Sequence, residues 1–251
     1  HAKRFCVRDR ILKGALPMQA ENMETLLRTN TYPGRGILLG RSADGAYAVA
    51  AYFIMGRSEN SRNRVFVPTD DGIRTEARDP SRMTDPSLII YHPVRQCGEE
   101  LIVTNGDQTD TIRDALRAGH CYRHALMQRS FEPDAPNYTP RISGVVHADG
   151  SYVLSILKSA DGDPACCCRY FYEYDAPISG QGHFIHTYRE DGNPLPSFRG
   201  EPIRVALTAS DPETLARQLW DALNPDNKIS LFVRYVRLAD GSHQDVIRNK
   251  D

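Results

Sequence analysis

The sequence predicts an α+β fold, arranged as a four-layer αββα sandwich of antiparallel sheets. Three Asp-Gly turns, ending at Gly45, Gly150 and Gly241, each lie beside apolar runs that are typical of strands. Such turns indicate hairpins, and hairpins produce antiparallel sheets. Helical spacing is confined to separate segments rather than alternating with single strands, which favours helices layered outside two sheets over βαβ units.

The strand predictions follow these turns and the apolar runs between them. Strands are predicted at residues 36–39, 47–54, 64–67, 88–95, 101–104, 142–146, 152–157, 169–174, 183–188 and 229–238. Their apolar, β-branched and aromatic content and the turn residues around them support this assignment.

Helices are predicted where apolar residues recur three and four positions apart. One helix has Asp107 as its predicted N-cap, Asp110 as a weak capping-box partner and Gly119 as its stop. Other helices are predicted around residues 23–27, over residues 122–130, and after a capping box formed by Ser210 and Glu213.

Length and composition predict one domain with no nucleic-acid or membrane partner. Of the 251 residues, 31 are basic and 32 acidic, so the charges nearly cancel. We expect an N-terminal extension or tag remnant at residues 1–22, beginning with His1 from cloning, and a single domain at residues 23–251. The six cysteines, from Cys6 to Cys168, show no disulfide or metal-ligand spacing, and no signal peptide is visible. A cytoplasmic protein is expected, and assembly as a homo-oligomer is left open.

Four polar segments depart from what a core or a plain surface loop requires. They are residues 32–36, 56–64, 104–111 and 139–142, of which the second holds three arginines, two asparagines and two serines. Arginine binds phosphate and carboxylate through paired donors, so this segment favours an anion site over a solvated loop. At residues 104–111 a helix N-terminus could bind an anion, or Asp107 and Thr109 could only cap the helix.

Taken together and in this order, these segments resemble the IMP cyclohydrolases of the archaeal type and their bacterial relatives, enzymes of the last step of purine synthesis. The resemblance is specific over residues 32–142, and its strongest parts are residues 104–112 and 139–142. Two departures are an arginine loop that is two residues longer and extra chain after Ile142. The family implies the Ntn-hydrolase-like sandwich, without use of an N-terminal nucleophile.

The resemblance implies an enzyme that closes the ring of 5-formamidoimidazole-4-carboxamide ribonucleotide (FAICAR) to give IMP and water, with no metal or redox cofactor. It implies that Tyr91 is a proton donor or oxyanion partner and that Glu132 is an acceptor for the attacking amide. Without it, Tyr91 could be a half-buried strand residue and Glu132 a surface charge. The other implied site residues are Asn105 and Asp107, near the chemistry, and Arg35, Arg57, Arg62, Asn63, Arg64, Thr139 and Arg141, which bind substrate.

Two other functions remain open from the residues themselves. One is an Ntn amidohydrolase that releases its nucleophile by self-cleavage. The other is a regulatory module that binds purine nucleotides in the arginine site without turnover. The polar side chains beside the arginines favour catalysis over the second alternative.

Overall fold

Two antiparallel sheets organise residues 19–250, the part of the chain that this computed structural model describes. The strands are Arg35–Arg41 (β1), Tyr47–Met55 (β2), Val65–Thr69 (β3), Gly72–Glu76 (β4), Val94–Cys97 (β5), Glu100–Thr104 (β6), Arg141–Val146 (β7), Tyr152–Ala160 (β8), Asp163–Tyr174 (β9), Gln181–His186 (β10), Ile203–Ala206 (β11), Lys228–Arg237 (β12) and His243–Asn249 (β13). The helices are Met23–Thr29 (α1), Glu59–Arg62 (α2), Gln108–Arg117 (α3), Tyr122–Met127 (α4) and Pro212–Ala222 (α5). The predicted α+β class is therefore confirmed.

The strand order shows how the two sheets are built. One sheet has the order β11-β10-β1-β2-β12-β13, and the other has the order β3-β4-β5-β6-β7-β8-β9. The predicted Asp-Gly turns join β1 to β2, β7 to β8 and β12 to β13. Their glycines have φ angles of 73° at Gly45, 83° at Gly150 and 71° at Gly241. Glycine adopts this left-handed conformation without a steric cost, which explains why the local signal was sufficient.

Three hydrophobic cores place the helices relative to the sheets. The first joins α1 and α5 to the six-stranded sheet, with Leu27 and Leu219 among its buried residues. The second contains residues of both sheets, including Tyr52, Phe66 and Phe232, and so lies between them. The third joins α3 and α4 to the seven-stranded sheet. Helices therefore pack on one face of each sheet, and the sheets pack against each other.

The predicted strand at residues 88–95 is wrong except at its last two positions, because β5 begins at Val94. Proline has no N–H to donate to a ladder, and Pro86 precedes this segment while Pro93 lies within it. Its backbone is held at Tyr91 instead, whose carbonyl accepts from Thr75 N at 2.9 Å and whose N–H donates to Thr75 Oγ1 at 2.9 Å. The loop thus carries Tyr91 to the edge of β4.

Two predicted helix caps differ from the structure: Asp107 is the N-cap residue of α3, as predicted, but forms no capping bond, and the predicted cap Ser210 is wrong. Asp107 precedes α3 but makes no side-chain capping bond, because its carboxylate is paired with Arg129 and Arg141. At α5 the N-cap is Asp211 rather than Ser210, and Asp211 accepts from Thr214 N at 2.8 Å. In both cases a tertiary or neighbouring partner replaces the expected local bond.

The predicted N-terminal extension falls mostly outside the described residues, as do His1 and Cys6. Within the described part, Glu21 forms a parallel bridge with Val205, at the edge strand β11. The division at residue 22 stays a prediction. None of the helices in residues 19–250 has the length and apolar character needed to cross a membrane.

The core between the sheets should dominate stability. Phe232 is 0% exposed, so Phe232→Ala should lower the free energy of unfolding by about 3–5 kcal/mol. Its cross-strand partner Ile247, on the edge strand β13, is only half-buried. Ile247→Ala should cost less than half as much. Urea denaturation of both variants measures this, and equal losses would contradict the assignment of Phe232 to the main core.

Candidate functional site

Two glycines, one on each side of Arg35, allow close packing of the backbone at the start of β1. A Cβ on Gly34, where φ is 79°, would lie 2.3 Å from Thr187 Oγ1 and 2.4 Å from the ring of Tyr188. A Cβ on Gly36 would lie 2.4 Å from the ring of Phe53. Only glycine permits these approaches, so the Gly-Arg-Gly sequence lets β1 pack closely while presenting one guanidinium group.

The guanidinium of Arg35 faces a buried carboxylate. Its Nη2 lies 3.5 Å from Glu132 Oε2, and the side chains are 12% and 2% exposed. Burial raises the pKa of Glu132, and the nearby charges of Arg35 and Arg141 oppose that shift. Glu132 is held in place by its backbone N–H, which donates to Thr139 O at 2.9 Å. The predicted acid and arginine thus meet inside the protein.

Arg64 is a buried cation that forms no ion pair with a carboxylate of residues 19–250. Its Nε donates to Ser61 O at 2.7 Å and its Nη2 donates to Ser61 Oγ at 2.9 Å. The remaining nitrogen, Nη1, is buried without a partner in the described part of the chain. Burial lowers the pKa of Arg64, while the nearby Tyr91 opposes the shift. A buried donor without an acceptor is costly, so this geometry suits an oxygen-rich ligand.

A buried pair of tyrosines completes this cluster. The hydroxyl of Tyr91 lies 2.8 Å from that of Tyr52, and either can be the donor. Burial raises the pKa of Tyr52, so its hydroxyl stays protonated near neutral pH. Tyr91 is 6% exposed and lies close enough to Arg64 and Arg35 to influence both guanidinium groups. Two tyrosine hydroxyls and two cations therefore converge with Glu132 at one end of the core.

A cleft of about 340 Å³ lies beside this cluster, of which Arg35 and Glu132 line the cleft and the other members do not. Arg57 and Thr139 also line it, as does Tyr188, which sequence reasoning missed. The lining residues come from β1 and the segment before it, from α2 and the loop that precedes it, from the loop between β4 and β5, and from the loops before β7 and after β10. The arrangement can bind an anionic or oxygen-rich molecule and exchange protons with it at Glu132 or a tyrosine.

Tyr188 and Tyr32 form an aromatic wall of the cleft. Their rings stack with centroids 5.9 Å apart, and the Tyr188 hydroxyl lies 2.5 Å from Thr139 Oγ1. Arg57 lies over the Tyr32 ring at 5.0 Å and pairs with Asp191 at 2.5 Å. Tyr188 ended a predicted strand, but only the pairing of β10 with β1 brings it here.

Three predicted site residues support the structure around the cleft rather than lining it. Arg62 donates to Gly56 O at 3.1 Å and to Asn227 Oδ1 at 3.3 Å. The amide of Asn63 is used on both sides by the backbone of Asp79, at 2.8 Å each.

Asn105 bonds to the backbone on both sides of Arg141. It donates to Pro140 O at 2.9 Å and accepts from Ile142 N at 2.8 Å. These contacts fix the start of β7, and with it the position of Arg141.

Arg141 and Asp107 belong to a second ionic group beside the cluster. Arg141 Nη1 contacts Asp107 Oδ1 at 2.8 Å and Gln108 Oε1 at 2.7 Å. Asp107, whose side chain is 53% exposed, also pairs with Arg129 at 2.5 Å. Arg141 is buried, and its charge opposes the rise in the pKa of Glu132. It therefore influences the cluster electrostatically from a neighbouring position.

Comparisons with known proteins place this chain among cyclohydrolases. A family model described as IMP cyclohydrolase-like protein matches residues 32–249. An IMP cyclohydrolase of Methanopyrus kandleri is 29% identical over 162 residues, which cover 63% of this chain and 76% of the relative. Those of Haloquadratum walsbyi and Halobacterium salinarum are 30% and 31% identical, over 60% and 58% of this chain and 75% of each relative.

The raised pKa of Glu132 predicts a specific pH dependence of stability. A carboxyl with a higher pKa in the folded state stabilises the fold below its unfolded pKa, and this contribution is lost as pH rises through the folded value. The stability of the wild type relative to Glu132→Gln should therefore fall as pH rises above about 4.3. Urea denaturation across the pH range measures it. Glu99→Gln, at an exposed turn, is the control, and a flat or rising difference for Glu132→Gln would contradict the shift.

Proposed function

The chain belongs to the family of IMP cyclohydrolase-like proteins, and we propose that it closes the purine ring of FAICAR to give IMP and water. The observation that carries this proposal is the buried cluster of Arg35, Arg64, Tyr91 and Glu132, in which one nitrogen of each guanidinium group has no partner among residues 19–250. All four residues lie within the part of the chain that the family model matches.

Ring closure is an intramolecular condensation. The carboxamide nitrogen forms a bond to the formyl carbon, the formyl oxygen becomes a hydroxyl, and the carbon–oxygen bond then breaks to release water. The carboxamide nitrogen loses one proton and the formamide nitrogen loses the other as its double bond to the former formyl carbon forms, and both protons leave with the oxygen as water. The reaction needs no redox change, so its main requirements are a near-attack conformer and two proton transfers.

Glu132 is the proposed proton acceptor for the carboxamide nitrogen. A carboxylate that burial makes more basic takes a proton more readily than an exposed one. The positive charge of Arg35 at 3.5 Å keeps the ionised form accessible despite that burial. The pair therefore supplies a base whose strength is set by two opposing effects.

Tyr91 is the proposed donor to the formyl oxygen. The neighbouring Tyr52 can donate its own proton to Tyr91 across the 2.8 Å contact. A hydroxyl that accepts such a bond is a better donor on its other side, because successive hydrogen bonds polarise one another. Where water is excluded, one donor to a developing oxyanion contributes about 3–4 kcal/mol to the transition state.

The arginines are the proposed contacts to the ribonucleotide. Arg64 has a buried Nη1 without a partner among residues 19–250, and Arg57 lines the open cleft. Thr139 and Tyr188 add hydroxyls on the opposite wall. The sequence also predicts contacts from Arg62, Asn63 and Asn105. Their hydrogen bonds are to other parts of the protein, which is more consistent with an indirect role through the loops that they stabilise.

The finer fold assignment is also a proposal, namely a four-layer αββα sandwich of the Ntn-hydrolase type. It is supported by the core between the two sheets and by the helices on the opposite face of each.

A cytoplasmic location is proposed as well. All five cysteines in the described residues are free thiols, as a reducing compartment would keep them.

Arg64→Ala should raise the KM for FAICAR at least about tenfold, because it removes a charged donor to the substrate. Arg62→Ala is the matched control, since Arg62 lies on the same loop but bonds outside the cleft. FAICAR cyclisation followed by ultraviolet absorbance measures both. An unchanged KM for a folded Arg64→Ala, or an equal effect of Arg62→Ala, would contradict the assignment.

Tyr91→Phe should lower kcat by about a hundredfold with little change in KM, since the lost hydroxyl acts mainly in the transition state. The same absorbance assay measures it. Tyr170→Phe, on the exposed part of β9, should behave like the wild type. A rise in KM without a loss of kcat would make Tyr91 a binding residue. Binding of IMP without any turnover by the wild type would instead favour a regulatory module.

A further inference from the structure

A second cleft adjoins the candidate active cleft on the side formed by residues after Ile142. It measures about 250 Å³ and shares Asn137 and Leu195 with the first cleft. Its other walls come from the end of β8, the β8–β9 turn and the loop after β10. The two clefts are therefore neighbours with a common wall rather than separate surface features.

Three cations line this second cleft against one carboxylate. The cations are Lys158, Arg189 and Arg199, and the carboxylate is Asp161. Asp161 is 91% exposed and reaches Arg199 at 3.2 Å, and Arg189 pairs with Glu190 outside the cleft wall. These exposed pairs are screened by water, so the cleft keeps an excess of positive charge.

Lys158 is the cation least satisfied by the protein. It is half-buried, and its Nζ donates to Phe198 O at 2.8 Å and lies 5.6 Å from the centre of the Tyr170 ring. No carboxylate in residues 19–250 forms an ion pair with it. Burial, followed by the charge of Arg199, lowers its pKa, while Asp161 opposes the shift only weakly. Two cations that repel each other across a cleft would both be stabilised by an anion between them.

We propose that this second cleft binds a phosphate monoester through Lys158 and Arg199. The charge excess selects an anion, and the arginine fork suits the oxygens of a phosphate. The cleft is larger than a phosphate group requires, and Ser159 and Ser197 on its wall offer neutral hydroxyls to the rest of the ligand. The phosphate has two possible sources, the nucleotide bound in the first cleft or a second phosphorylated molecule.

Titration calorimetry with inorganic phosphate and with IMP tests the site in the full chain. Lys158→Met and Arg199→Met should each weaken phosphate binding about tenfold or more. Lys228→Met is a matched control, because Lys228 is also half-buried, donates to Trp220 O at 2.8 Å and lies over an aromatic ring. It should bind phosphate like the wild type. Arg199 is exposed, so that variant tests the site even if Lys158→Met folds poorly.

The stoichiometry of IMP distinguishes the two sources. If the nucleotide's own phosphate occupies the site, one IMP binds per chain, and both variants raise the KM for FAICAR while kcat is unchanged. If a second molecule binds, two IMP bind to the wild type and one to the variants, with KM unchanged. Equal binding of phosphate and IMP by the wild type and both variants would overturn the proposal. Loss of phosphate binding in the variants of a chain without turnover would overturn the proposed function alone.

Discussion

The burial of two guanidinium groups and one carboxylate at the end of the inter-sheet core is the constraint on which the site depends. Moving such charges out of water costs several kcal/mol each unless they find partners. Arg35 and Glu132 partly compensate each other, but Arg35 Nε and Arg64 Nη1 are donors without an acceptor among residues 19–250. A protein selected only for stability has no reason to keep that arrangement, whereas one that binds an oxygen-rich substrate gains from it.

Local chemistry explains which parts of the fold the sequence predicts. An Asp-Gly turn requires a left-handed glycine and little else, so the hairpins at Gly45, Gly150 and Gly241 are visible in the sequence. The failures have non-local causes. Residues 88–93 have the composition of a strand, yet two prolines and the bonds between Tyr91 and Thr75 make them a loop. Asp107 has the type of an N-cap, yet two arginines bind its carboxylate.

The candidate site is predictable by residue type but not by orientation. An arginine-rich loop indicates an anion site, yet its members diverge, since Arg64 turns into the core while Arg62 bonds to the neighbouring loop at Asn227. Side-chain amides are more ambiguous. The amides of Asn63 and Asn105 can form hydrogen bonds with a substrate or with backbone groups that lack a partner, and the sequence does not distinguish the two. Tyr188 carries no local signal at all. It reaches the cleft only through the pairing of β10 with β1.

The two adjoining clefts place charge in different surroundings, and this suggests a division of work between them. Arg64 and Glu132 are almost inaccessible to water, so their electrostatic effect on a nearby group is strong and has a fixed direction. Arg189 and Arg199 are exposed, so their field is screened at close range but extends into solvent, where it can attract an anion. Both exposed arginines lie after Ile142. The proposed phosphate site therefore gives this part of the chain a role in anion capture, next to an interior that holds the proposed reacting groups.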